Sequence, residues 1–358
     1  MPSDETYMAR AIELAGSVPN TSPNPRVGCV LVRAGEVVAE GVHKGPGHPL
    51  AEAAALAGAD AHGATLYVNL EPCSHLGRTP PCAPIIAAAG VRRVVAAMAD
   101  PNPLVSGQGF ELLERAGIEV TVGVGAPAAR LLNAPYLHHV TSERSFVSLK
   151  LALTLDGRLA AADGSARWIT GEEARALVHR RRLEADAVMV GAGTVLADDP
   201  RLSARLPGAR RQPARVVVDG RGSVPPDAAV FADDGAEVIV ATTTSASHDA
   251  ATAWKEAGAE VIVLPGDGRV DLDALVGVLG RRGYLEVLCE GGARLASALL
   301  ERGLVGRLEL HLGALIAGAG PGLALDIATL AEAPRFGLAD LRRAGDDVVA
   351  VYLPKEAA

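Results

Sequence analysis

Aromatic residues are scarce, 3% of 358, so the cores must be built from Ala, Val and Leu. Four cysteines, at 29, 73, 82 and 289, are too few to staple a chain of this length, which excludes a disulfide scaffold and points to a reducing cytoplasm. Positive charge is not in excess either: 34 Lys+Arg against 42 Asp+Glu leave a net charge of −8. That balance opposes non-specific attraction to nucleic acid or anionic lipid. No stretch approaches the roughly 18 unbroken apolar residues of a membrane span, and the acidic N-terminus lacks the apolar core of a secretory leader. A soluble, uncleaved protein is the expectation. Lysine is the rarest charged residue, confined to positions 44, 150, 255 and 355. A lysine inside an apolar segment therefore stands out.

What is present is an ordinary globular composition, 49% hydrophobic and 21% charged, long enough for two domains at about 150 residues each. Apolar periodicity predicts helices over 7–15, 51–57, 84–90, 109–117 and 127–138, and strands over 28–33, 36–41, 65–70, 93–98 and 119–122. After a polar passage at 140–144 a new apolar strand, 146–153, opens a second alternating series. That series has helices at 171–184 and 294–302, and strands at 187–191, 215–219, 237–242, 260–264, 286–289, 307–312 and 347–352. The fold class is α/β throughout, with domains expected at 1–144 and 145–358. No repeat links the halves.

In the first half, Leu70-Glu-Pro-Cys73 and Pro-Pro-Cys82 bring two thiols together across a Gly/Pro-rich loop, with Glu52 upstream at the start of a helix. Paired thiols in a reducing compartment suit Zn²⁺. A carboxylate ahead of them matches the zinc deaminases, in which the metal activates a water and a non-ligand Glu shuttles protons. The alternative is a buried structural thiol pair beside an ordinary surface Glu.

In the second half, Lys150 sits inside an apolar strand, where an ammonium must be paired, functional, or snorkelling from an edge. Trp168, one of two tryptophans, stands just before a helix, in either a functional or a packing role. Gly191-Ala-Gly193-Thr194 follows a strand like the opening of a dinucleotide loop. Leu196 replaces its third glycine, however, and Asp199-Pro200 comes too soon for a full crossover helix. A second glycine loop, Glu290-Gly291-Gly292, precedes a helix whose free N–H groups suit a phosphate.

Through Ser22-Pro-Asn-Pro-Arg-Val-Gly28, the Leu70–Cys82 loop and Asp100-Pro-Asn-Pro103, the chain resembles the bifunctional deaminase–reductases of riboflavin biosynthesis, from about residue 7 to 353. The resemblance implies an N-terminal cytidine-deaminase-like three-layer domain and a dihydrofolate-reductase-like α/β domain. It implies hydrolytic deamination of 2,5-diamino-6-(5-phosphoribosylamino)pyrimidin-4-one, then NADPH reduction of the ribosyl chain to ribityl. By resemblance Glu52 is catalytic and Cys73 and Cys82 hold Zn²⁺. NADPH would meet Ala152, Trp168, Thr194, Asp198, Gly220 and the run Gly292, Ala293, Arg294, Leu295, Ala296, Ser297, Ala298. The phosphoribosyl-aminopyrimidine would meet Lys150, Ala166, Arg182, Leu202, Arg205 and Glu290, with Arg182 and Arg205 as phosphate forks. Further copies of the chain are expected partners; nucleic acid and membrane are not.

Two positions depart from the family pattern. Where the family reads His-Ala-Glu this chain reads Leu50-Ala-Glu52, and leucine cannot ligate a metal. His48 is the nearest substitute, provided that it lies outside the helix, because residues 48 and 50 of one helix point about 200° apart. His43 and His75 are read as loop or substrate-contact imidazoles. Ala166 stands where the family has Ser, which shifts one substrate hydrogen bond, if anywhere, to Ser165. Two rival readings stay open: a reductase on an inert first domain, and a nucleic-acid-directed deaminase or binding module, which the acidic charge and the second half's motifs disfavour.

Overall fold

The computed structural model describes residues 2–74, 80–103, 105–209 and 211–355. The chain divides into two compact units, Met1–Glu143 and Arg144–Ala358.

The first unit is a five-stranded sheet between helices. Its strands are β1 (Gly28–Arg33), β2 (Glu36–Val42), β3 (Thr65–Val68), β4 (Arg93–Ala96) and β5 (Glu119–Val122), in the order β2-β1-β3-β4-β5. β1 runs antiparallel to both neighbours, and β3, β4 and β5 are parallel. The helices are α1 (Asp4–Ser17), α2 (Ala51–Leu56), α3 (Cys82–Ala88), α4 (Gln108–Arg115) and α5 (Ala126–Ser142). Two glycines set the layering. A Cβ on Gly28 would stand 2.1 Å from the Ala11 carbonyl oxygen of α1, and one on Gly41 would stand 2.0 Å from the Ala51 carbonyl oxygen of α2. Gly41 is in register with Cys29, the residue after Gly28. Side chains alternate along a strand, so the two glycines face opposite ways. α1 and α2 therefore cover opposite faces, and α2 carries Glu52 onto the face of Cys29.

The second unit is a nine-stranded sheet. Its strands are β6 (Phe146–Thr154), β7 (Ala187–Gly191), β8 (Ala214–Val218), β9 (Val238–Thr242), β10 (Glu260–Val263), β11 (Glu286–Cys289), β12 (Val305–Gly313), β13 (Phe336–Ala344) and β14 (Asp347–Pro354). The order is β10-β9-β8-β7-β11-β6-β12-β14-β13. All pairs are parallel up to β12, after which β14 and β13 close the edge antiparallel. The helices are α6 (Glu172–Glu184), α7 (Ala192–Asp198), α8 (His248–Glu256), α9 (Leu272–Arg281) and α10 (Ala293–Glu301). On β6 the odd residues Val147, Leu149 and Leu151 join the core built with α9 and α10. The even residues Ser148, Lys150 and Ala152 face the other way. On that second face Val188, Val190 and Leu288 pack with Val195 of α7 and Trp254 of α8. Covering both faces of a mostly parallel sheet is what buries its continuous apolar strands.

Four elements, α7, α8, α9 and β13, were not expected from periodicity. Trp254 anchors α8, fully buried with its Nε1–H on the Val224 carbonyl at 2.9 Å. β13 is an edge strand, mostly exposed and carrying Asp340, Arg342 and Arg343, so no apolar alternation marks it. Charged residues on an edge also oppose strand-to-strand aggregation.

Candidate active sites

In the first unit the chain enters α2 through Leu50, an extended N-cap residue. Glu52, in the first turn, is buried at 4% exposure. Cys73 follows β3 and Cys82 opens α3, whose first N–H groups face back toward the Cys73 segment. The Cys82 N–H donates to Cys73 Sγ at 3.3 Å, and the Ala83 N–H donates to the Cys73 carbonyl at 3.0 Å. With the Cys82 thiol as its foremost donor, Cys73 is held below the ordinary thiol range, and Cys82 is raised in consequence. Burial pushes Glu52 up, a shift partly opposed by hydrogen bonds from its own backbone N–H and from Cys82. Glu52, Cys73 and Cys82 thus form one cluster.

Periodicity gave no sign of how this loop is held. The Glu71 carboxylate accepts the N–H groups of Asp100, Gly107 and Gly109 at 3.1, 3.0 and 3.0 Å. Gly109 lies so close that a Cβ would stand 1.9 Å from the Pro72 carbonyl oxygen. Asp100 in turn accepts from the Tyr136 hydroxyl at 3.0 Å. The Pro-Cys segment and the Asp100-Pro-Asn-Pro103 motif are therefore one braced structure. The signal in the sequence was an acidic residue at the end of an apolar strand.

The imidazoles separate clearly. His43 is buried, and its Nδ1 lies 2.9 Å from the Pro49 carbonyl, which can only accept; Nε2 therefore takes the Asn24 amide at 2.8 Å. Both of its nitrogens are spent on holding the turn before α2. His75 lies outside the described residues. His48 is exposed, three residues ahead of α2, in a turn where Gly45 and Gly47 take positive φ of 105° and 85°. It satisfies the condition of lying outside the helix, yet it does not stand with the thiols. Among the described residues no group of three His, Cys, Asp or Glu is placed to hold a metal. Cys73 and Cys82 are suitable thiolates, Leu50 offers no donor, and a catalytic zinc takes three protein ligands. As they stand, these residues do not complete the zinc site.

In the second unit the site gathers at the carboxyl end of β11, where open α/β sheets bind ligands, against Lys150 and Glu309 midway along β6 and β12. Arg182 of α6 grips Glu290 with two bonds, Nε to Oε1 at 2.6 Å and Nη2 to Oε2 at 3.0 Å, and gives Nη1 to the Ser203 carbonyl at 3.0 Å. Burial raises Glu290, but Arg182, Lys150 and His179 together outweigh it and hold the carboxyl below its usual range. Burial lowers Lys150, and Glu290 partly restores it. The expected phosphate fork of Arg182 is thus closed on Glu290 instead. Arg205 is exposed, with its N–H and Nη2 each 3.3 Å from a ring nitrogen of His179. Neutral imidazole has one acceptor nitrogen, so only one of these can be a hydrogen bond, and the guanidinium keeps donors to spare.

Trp168 is 65% exposed, with the Arg175 guanidinium 4.5 Å over its ring. Arg167 holds the Asp198 carbonyl at 2.6 Å, and Thr194 Oγ1 accepts the Gly292 N–H at 3.0 Å, joining the α7 loop to the start of α10. Gly292, the N-cap, and Arg294 are exposed, and Ala152 is half-buried. An exposed indole, open space beside Gly193 and an accessible helix start fit a dinucleotide.

Other expected contacts take different roles. Leu295, Ala296 and Leu202 are core side chains, and Ser297 is buried with its hydroxyl accepting the Ala324 N–H, so these could meet a ligand only through backbone. Ala298 packs against the same core as Leu295. Gly220 answers to packing, since a Cβ there would stand 2.6 Å from the Gly268 carbonyl oxygen. Ala166 is half-buried, and the Ser165 hydroxyl is spent on Asp163 at 2.6 Å.

Residues 1–98 match the family model of the cytidine and deoxycytidylate deaminase zinc-binding region, and residues 145–350 match the RibD C-terminal domain. The chain is 40% identical to riboflavin biosynthesis protein RibD of Aquifex aeolicus over 353 residues, 98% of each chain. It is 41% identical to the Escherichia coli protein of that name over 368 residues, 96% of this chain and 98% of the other. Its structure is similar to Acinetobacter baumannii RibD, with a TM-score of 0.84 and 36% identity over 99% of both chains. It is also similar to the diaminohydroxyphosphoribosylaminopyrimidine deaminase/5-amino-6-(5-phosphoribosylamino)uracil reductase of Thermotoga maritima, with a TM-score of 0.83 and 35% identity over 98% and 99%. With both catalytic units matched in order along nearly the whole chain, the protein belongs to the RibD family of bifunctional deaminase–reductases of riboflavin biosynthesis, whose cofactors are Zn²⁺ and NADPH.

Proposed function

We propose that the two reactions are divided between domains 1–144 and 145–358, with deamination around Glu52, Cys73 and Cys82 and reduction around Lys150, Arg182 and Glu290. The observation that carries this reading is the closed Arg182–Glu290 pair facing Lys150. A carboxylate held just past the end of β11 beside an ammonium supports the binding of a polar substrate there.

For the first step, Glu52 is suited to keep and return a proton, because burial favours its protonated form. His48 is the proposed third zinc ligand, presented to the thiols once the turn before α2 is redrawn from the arrangement in which it stands apart from them. It lies outside α2, forms no side-chain hydrogen bond among the described residues, and sits in a turn where nothing lies within 4 Å of a Cβ on Gly47. For the second step, Trp168, Thr194 and the Gly292 end of α10 would hold NADPH, which would supply the hydride that reduces the sugar. Lys150 and Glu290 orient the sugar and base, Arg182 locks Glu290 in place, and Arg205 holds the phosphate. Assembly with further copies of the chain, a cytoplasmic setting, and the absence of nucleic acid or membrane partners complete the proposal. In its support, the net charge is −8, and among the described residues no helix is long and apolar enough to cross a membrane.

The test is to supply purified protein with the diaminopyrimidinone and follow products by mass spectrometry with and without NADPH. The reading expects the deaminated ribosyl compound alone without NADPH, and the ribityl compound with it. Reduction confined to pre-deaminated substrate would instead support an inert first domain.

A further inference from the structure

The second face of β12 carries three polar residues, Arg307, Glu309 and His311, and two of them are matched. Arg307 pairs with Glu286 at 3.1 Å, and Glu309 with Arg181 at 2.9 Å. His311 is 1% exposed, and neither ring nitrogen has a hydrogen-bond partner among the described residues. A fold seldom leaves both ends of an imidazole unsatisfied in its interior unless something absent uses them.

Its position says what that is. Glu309 is in register with Lys150 and His311 with Ala152, so all four side chains share one face and His311 is the diagonal neighbour of Lys150. Two residues on, a Cβ at Gly313 would stand 1.8 Å from the Ile169 carbonyl oxygen. This end of β12 therefore abuts the segment that carries Trp168. Lys150 forms no hydrogen bond or ion pair among the described residues. The Lys150 ammonium, which has Glu290 as counter-charge but no hydrogen bond of its own, and the imidazole of His311, which has none either, are diagonal neighbours on one face of the sheet. Burial and the Lys150 charge both keep that imidazole neutral, with its titration pushed down to about 3. It therefore retains one acceptor nitrogen.

We propose that His311 is a positioning residue of the reductase, accepting a hydrogen bond from the Lys150 ammonium when the phosphorylated sugar substrate is bound and so fixing where that ammonium meets the substrate. This rests on the reading of Lys150 as a substrate-binding residue, and it goes further in giving Lys150 a partner.

Steady-state reduction of the pre-deaminated substrate by NADPH tests it in wild type, His311→Leu and His311→Gln. The expected result is a 10- to 100-fold loss of kcat in His311→Leu, with NADPH affinity unchanged by fluorescence titration. Partial recovery is expected in His311→Gln, which keeps an acceptor, and deamination should be unaltered in both. A purely structural role would instead leave kcat per folded molecule unchanged and lower only thermal stability. Wild-type kcat in folded His311→Leu overturns the proposal, as does His311→Gln no better than His311→Leu. If His311→Leu does not fold, folded His311→Gln decides alone: retained kcat with Lys150→Met inactive supports the proposal, and kcat as low as that of Lys150→Met overturns it. A wild type that reduces nothing with NADPH refutes the functional reading itself, which separates the two failures.

Discussion

Arg182 and Glu290, 108 residues apart in sequence, meet in a two-bond fork at 2.6 and 3.0 Å. The pair joins α6 to the loop after β11 and leaves Lys150 facing a carboxylate already held from behind. Charge-assisted bidentate pairs of this kind fix direction as well as distance. The arginine that the resemblance assigns to a substrate phosphate is closed on a carboxylate instead.

Glu290→Gln should therefore do two things. It strands Arg182 and Lys150 without their counter-charge, and breaking a buried pair from one side costs about 3–5 kcal/mol. Urea denaturation should show that loss in the second domain, and NADPH oxidation should fall with it. A stability within error of wild type would mean that the pair is solvated in solution.

Arg205 makes the complementary case, as an exposed guanidinium with donors to spare. Arg205→Leu should raise KM for the phosphorylated substrate, costing about 2–3 kcal/mol in kcat/KM, with little change in kcat. A KM equal to that of wild type would remove Arg205 from the phosphate.

The zinc site predicts an asymmetry between neighbouring positions. Metal analysis of His48→Ala should find zinc nearly absent, and adding Leu50→His to that variant should restore it. Full zinc in His48→Ala would require a ligand other than His48. Reduction of pre-deaminated substrate serves as the control that stays constant.

His311 also leaves a signature in stability. Its titration is pushed from 6.5 to about 3 in the folded protein, so the unfolded chain binds the extra proton between these values. Its contribution is intact above pH 6.5 and is lost as the pH falls toward 3. Between pH 6.5 and 5 that amounts to about 2 kcal/mol. Urea denaturation across this range should show a shallower decline for His311→Leu than for wild type; parallel curves would contradict the buried, neutral imidazole.

The sequence was most informative where burial imposes a period. The strands at 28–33, 187–191 and 286–289 coincide with β1, β7 and β11, because each runs apolar against a core. The exposed edge strand β13 lacked that pattern. Among site residues, Glu52, Cys73 and Cys82 were legible because their chemistry is local to two motifs. The bond between Arg182 and Glu290, the brace at Glu71 and the isolation of His311 were not legible. Each depends on strand order and register, which bring together residues far apart along the chain. The run 292–298 illustrates the converse, since its helical turn sends Leu295, Ala296 and Ser297 into the core and leaves only its beginning to face outward.

The central claim is that one chain performs two separable reactions, and Glu52→Gln tests it most directly when both half-reactions are assayed on the same preparation. The account predicts that deamination of the diaminopyrimidinone is abolished while NADPH reduction of the pre-deaminated ribosyl compound proceeds at the wild-type rate. Loss of both activities in a folded protein, or deamination that survives, would contradict it.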